Sequence, residues 1–168
     1  MALLKILHYP DPRLKQISKP VEKFDAFLHQ LLDDMHETML YANGIGIAAA
    51  QVGHPLRAFI LDFGLQEGYP PERFEFINPV LSNLAGRASF EEGCLSVPGV
   101  GESVVRSATV TVSYQDRHGK QHSLKAEGLM AVAIQHENDH LDGVLFIDRL
   151  GVIQRQLVKR RLNRQVDL

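Results

Sequence analysis

Between residues 24 and 42, apolar side chains recur at steps of three and four: Phe24, Phe27, Leu28, Leu31, Leu32, Met35 and Met39. That period gathers them on one face of a helix, and Asn43-Gly44 supplies its end. The pattern then shortens into stretches with strand character at 57–63, 73–81, 87–92, 108–116 and 120–128. Gly119, within "DRHGK", predicts a hairpin-like turn between the last two. From Leu129 the helical period returns, and Leu129, Val132, Ala133, His136 and His140 share one stripe. Two histidines thus continue an apolar face into the interior. A last helix is predicted over about 148–165, with Leu150, Ile153 and Leu157 as its apolar side. The order predicts an α+β fold: antiparallel β-sheets packed around a central helix carrying the histidines, with a C-terminal helix.

At 168 residues and 45% hydrophobic content, the chain is long enough for one core and reads as a single domain over 1–168. Repeats and low-complexity linkers are absent from the sequence. The opening "MALLKILHYPDPR" has too short an apolar run, closed by Pro10 and Pro12, for a signal peptide, and no stretch is long enough to span a bilayer. Its single cysteine, Cys94, cannot form an internal disulfide, so a cytoplasmic location is expected. The net charge of −2 points to neither DNA nor membrane. That average hides a gradient. Residues 149–168 carry Arg149, Arg155, Lys159, Arg160, Arg161 and Arg164 against Asp167, a local charge of +5 that leaves −7 on the rest. Such a run is commonly a solvated face.

Residues 133–143 read "AIQHENDHLDG" and contain His-Glu-x-x-His. On a helix this spacing sets His136 and His140 one turn apart, able to chelate one metal, with Glu137 beside them as a candidate general base. A catalytic site of this kind wants a third protein ligand and one open position. The extended form ending in a further histidine fails, because Phe146 occupies that place. A downstream glutamate fails too: residues 141–168 contain no Glu and no His. Asp142, Asp148 and Asp167 remain there, the first too near His140 to close a tetrahedron easily. Upstream, "FEEGCLSVPGVG" offers Cys94. A thiolate with two imidazoles suits Fe(II), Zn or Co better than Mg or Ca. An ordinary buried cysteine and a nucleophilic one are the competing readings of Cys94.

Three stretches, "GIGIAAAQVG" (44–53), "EGCLSVPG" (92–99) and "QHENDHLDG" (135–143), resemble the signature motifs of the peptide deformylase family, in its order. The resemblance implies a hydrolase of protein biosynthesis that removes the N-formyl group from the initiator methionine of new polypeptides and releases formate. It implies one divalent metal on Cys94, His136 and His140, natively Fe(II), with Zn, Ni or Co able to replace it. Glu137 would be the base, and Gln51 with the backbone N–H of Leu95 would stabilise the oxyanion. Ile45, Gly46 and Gly93 are expected to line the peptide site, and Ile45, Phe90, Leu129, Val132 and Ala133 to enclose the methionine side chain. Arg106 also matches a family position, although an ion pair explains it equally well. The basic C-terminal helix would dock on the ribosome through rRNA phosphates. Two other readings are a peptidase using the same site and a non-catalytic, metal-stabilised ribosome- or RNA-binding protein.

Overall fold

Asp25 accepts a hydrogen bond from the Leu28 N–H at 3.1 Å and so starts α1 (Ala26–Tyr41), which buries Leu28, Leu31, Leu32, Met35 and Met39. Phe27 departs from the predicted stripe and is 59% exposed. Asn43, at φ +59°, turns the chain out of the helix, as expected of Asn-Gly. The computed structural model describes residues 2–64, 68–69 and 72–166.

After α1 come β1 (Gly46–Ala48), a 3-10 turn (Ala49–Val52), β2 (Ala58–Asp62), β3 (Arg73–Ala85), β4 (Ala88–Cys94), β5 (Val97–Arg106), β6 (Thr109–Gln115) and β7 (Gln121–Glu127). Then follow α2 (Gly128–Leu141), a 3-10 turn (Phe146–Arg149) and α3 (Val152–Val166). The fold is α+β. One antiparallel sheet runs in the order β1-β2-β3-β6-β7, and β4 and β5 form a separate hairpin. All five predicted strands are present within a few residues of their expected ends. β1 and β5 were not expected: β1 is three residues in a run of small side chains, and Pro98, Gly99 and Gly101 mask the alternation of β5.

The large sheet and α2 share a core in which Ala131, Ala133, Ile134 and Leu141 meet Phe59, Phe76, Val110 and Val112. On its other side α2 meets the β4–β5 hairpin, so every residue from Ala131 to Glu137 is buried. A helix buried on all sides need not be amphipathic, which is why its stripe is broader than the sequence pattern indicates. Deep in the protein, it carries both histidines.

The C-terminal helix begins later than expected and turns a different face inward. Val158 and Leu162 join Val97, Val100 and Val104 in one buried cluster, whereas Ile153 (75%) and Leu157 (54%) are exposed and Leu150 lies before the helix. Gly151 interrupts the predicted stripe and lets the helix start in a new phase. Asp167, counted above in the tail's charge, falls outside the described residues. No helix among the described residues is long and apolar enough to cross a membrane.

Candidate active site

Consecutive turns of α2 set the rings of His136 and His140 5.2 Å apart at 71°. Cys94 ends β4 and pairs with Val97 across the hairpin, which carries its thiol to the same point. One ligand atom from each of Cys94, His136 and His140 lies within 4.8 Å of the others, and Cys94 Sγ is 3.4 Å from His140 Nε2. A soft thiolate and two imidazoles converging at this distance fit a divalent transition metal.

A neighbouring carboxylate fixes the orientation of His136. Glu92, two residues before Cys94, takes the Nδ1–H of His136 at 2.8 Å, which turns Nε2 toward the cluster. Arg106 donates to both oxygens of Glu92, at 2.6 and 2.9 Å, and to Asp139 at 2.9 Å. Burial alone would raise the Glu92 carboxyl, but His136 and Arg106 hold it below its ordinary value. Against the opposing effect of burial, Cys94 and Glu92 raise His136 to about 10, whereas burial and the charge of His136 drive His140 well down. A cation binding at Nε2 therefore displaces a proton from the site.

Glu137 is buried, with Oε1 3.7 Å from His136 Nε2 and no hydrogen-bond partner for Oε2 among the described residues. Burial pushes its carboxyl up to about 7, against the pull of His136. Gln51 sits in the Ala49–Val52 3-10 turn that follows β1. Its Oε1 accepts from the Ala48 N–H at 2.8 Å, and its Nε2 donates to Ser96 Oγ at 3.0 Å and lies 3.5 Å from Cys94 Sγ.

Above these groups opens a cleft of about 490 Å³. Cys94, Leu95, His136 and Glu137 line it together with Ile45, Gly46, Gly93, Leu129, Val132 and Ala133. Gln51 and His140 lie behind the lining residues. Phe90 is not brought to the cleft: it is 37% exposed and four residues, or ~13 Å of strand, from Cys94. Arg106 makes the buried ion pair anticipated as one of its two readings. Sequence reasoning overlooked Glu92, Ser96, Asp139 and Arg149. The partners of Glu92, Asp139 and Arg149 are distant in sequence, and only the doubled Glu91-Glu92 before the cysteine hinted at Glu92.

The polypeptide deformylase family profile matches residues 3–156. A peptide deformylase from Chromobacterium violaceum is 50% identical over 98% of this chain and 97% of its own length. Among solved structures, the peptide deformylase of Legionella pneumophila has a TM-score of 0.91 at 43% identity, covering 99% of this chain and 96% of that one. That of Ehrlichia chaffeensis in complex with actinonin has a TM-score of 0.91 at 36% identity, covering 98% of each. With the motif residues assembled around one cleft and the match running almost end to end, the chain belongs to the polypeptide deformylase family.

Proposed function

We propose that this protein is a metal-dependent hydrolase that removes the formyl group from the N-terminal methionine of newly made polypeptides and releases formate. One observation carries the reading: three metal-type donors converge where Cys94 and His136 line an apolar cleft and His140 lies just behind them, beside a buried carboxylate oxygen with no partner among the described residues. Residues 1–168 act as one catalytic domain.

Cys94, His136 and His140 hold the cation, natively Fe(II), with Zn, Ni or Co accepted by the same donors. When bound, it supplies a Lewis acid that lowers the pKa of water toward neutrality. Glu137 takes the proton of the attacking water and returns it to the departing amine. Its carboxyl, raised to about 7, is poised for both transfers near neutral pH. Gln51 Nε2 and the Leu95 N–H donate to the formyl oxygen as it gains charge. Ala48 and Ser96 fix the plane of the Gln51 amide, so little reorganisation is needed.

Ile45, Leu129, Val132 and Ala133 offer the methionine side chain an apolar wall. β1 is an edge strand, free to pair with an extended peptide through its backbone. A formyl hydrogen fits where a larger acyl group is crowded. The exposed basic face of α3, with Arg160, Arg161 and Arg164, docks on ribosomal RNA phosphates in the cytoplasm. Because Val158 and Leu162 belong to the core, charge reversal at the three arginines is a cleaner test of docking than deletion. Salt-sensitive cosedimentation with ribosomes should be lost in that variant; unchanged binding would remove α3 from the interface.

The deciding assay is formate release from formyl-Met-Ala-Ser by anaerobically prepared Fe(II) protein. Release should require both metal and Glu137, with acetyl-Met-Ala-Ser and unblocked peptides left intact. A folded, metal-loaded protein that releases no formate would overturn the reading in favour of a non-catalytic RNA-binding protein.

A further inference from the structure

The Phe146–Arg149 turn touches the metal-ligand helix in two places. Phe146 stacks on the His136 ring with centroids 5.9 Å apart at 26°. Three residues on, Arg149 grips Asp139 with two hydrogen bonds, Nη2 to Oδ1 at 2.8 Å and Nε to Oδ2 at 3.1 Å. Asp139 Oδ2 also accepts from Arg106 Nη1 at 2.9 Å, and Arg106 in turn holds both oxygens of Glu92. Glu92 Oε1 takes the Nδ1–H of His136. An unbroken line of charged hydrogen bonds therefore runs from Arg149 to the ring of a metal ligand.

We propose that Arg149 is a positioning residue for the metal centre, acting on His136 through Asp139, Arg106 and Glu92. The inference rests on the assignment of Cys94, His136 and His140 as metal ligands. Arg106 is shared between two carboxylates, and its planar fork can match only one of them with both arms. Arg149 supplies the second guanidinium, so Asp139 is satisfied without drawing Arg106 away from Glu92. Without Arg149, Asp139 competes for Arg106, Glu92 loses part of its anchor, and His136 Nε2 is less firmly aimed at the cation.

Position matters as well as charge. The Arg149 side chain is 49% exposed at the wall of a solvent groove of about 490 Å³, on the opposite side of α2 from the cleft. A substitution there leaves the core packing intact, and methionine retains the aliphatic stem. The effect on the metal can thus be separated from an effect on folding.

The test is Co(II) binding to metal-free protein, followed by the thiolate-to-cobalt absorption band, together with the rate of metal loss to a chelator. In the wild type, a band that disappears in Cys94→Ser establishes the ligand assignment; its absence overturns that assignment and this inference with it. Partners bonded directly to a ligating histidine typically change affinity ~10–100-fold, and a residue three links further out should contribute less. Arg149→Met is expected to weaken Co(II) binding about three- to tenfold and to speed metal loss correspondingly. The metal-free Tm should stay within about 2 °C of wild type, because Arg149 is itself half-exposed and Asp139 keeps Arg106 as a partner. Arg149→Lys should recover part of the affinity. In an Asp139→Asn background, Arg149→Met should have little further effect, because the link is already cut. Wild-type affinity and release rate in Arg149→Met, or an undiminished loss in the Asp139→Asn background, would overturn the proposal.

Discussion

A methyl group built on Gly46 stands 3.1 Å from both Cδ and Cγ of Glu137 and 2.9 Å from Cδ2 of Leu61. The strand edge offered to substrate and the carboxylate proposed as base are therefore in van der Waals contact through the missing side chain. Gly46→Ala should push Glu137 out of line while leaving the three metal donors in place. We expect kcat/KM for formyl-Met-Ala-Ser to fall ~10–100-fold, with Co(II) affinity unchanged. An active Gly46→Ala protein would mean that Glu137 has slack.

Glu92 is the only carboxylate bonded to His136 Nδ1 among the described residues, and it also satisfies buried Arg106. Glu92→Gln keeps the shape but removes the charge. Metal affinity should drop ~10–100-fold by chelator competition. Thermal unfolding should show a loss of up to about 3 kcal/mol, because the guanidinium is left short of a counter-charge.

Acid sensitivity should come from a second charged group far from the cleft. Arg73 and Arg117 both bond Asp33 and Glu75, tying α1 to β3 and to the turn after β6. The Arg117 and Arg73 hydrogen bonds hold Asp33 below its ordinary range; burial would raise Glu75, but the same two arginines hold it down. For carboxyls whose folded pKa is depressed, the stabilisation is complete above the unfolded value and fades as pH falls through the folded one. The contribution of this network to Tm should be level from neutral pH down to about 5 and decline below about 4. In Glu75→Gln that acid-limb decline should be shallower; an identical slope would mean the network contributes nothing.

Gly143 follows α2 at φ +74°, and a Cβ there would collide with the backbone carbonyl of Lys15. Gly128, at φ +62°, has nothing within 4 Å of the same position. Alanine at Gly128 should cost about 1 kcal/mol from backbone strain alone. Alanine at Gly143 adds a clash with backbone, and a loss of about 3 kcal/mol or more in denaturant unfolding is expected. Equal losses at the two sites would refute the role of the Lys15 contact.

The elements that sequence revealed are those whose burial follows a simple period. α1 follows a 3.6-residue stripe because one face meets the core and the other meets water, and the two histidines of α2 need only one turn of helix to come together. β5 was hidden because Pro98, Gly99 and Gly101 interrupt its pattern, although Val97, Val100, Val104 and Arg106 are buried along it. The inward face of α3 was misassigned because Leu150 precedes the helix and Gly151 resets its phase. Phe90 fits a methionine pocket by residue type, yet it is not among the residues that line the cleft. Glu92, Asp139 and Arg149 show the general limit. Their roles arise from pairings across 14, 33 and 10 residues, and nothing local marks a carboxylate that will be buried against an arginine so far away.

Val97 and Val100 both line the cleft and belong to the cluster that holds Val158 and Leu162 of α3. The cleft and the basic helix therefore draw on one hydrophobic cluster. Trimming either valine to widen the cleft would open a void beneath α3, and enlarging either to narrow the cleft would lever the helix outward. Substrate breadth and anchoring of the C-terminal helix are thus bound together at two positions. Evolutionary or engineered changes in selectivity have more freedom on the opposite wall, where Ile45 and Leu129 are only partly buried.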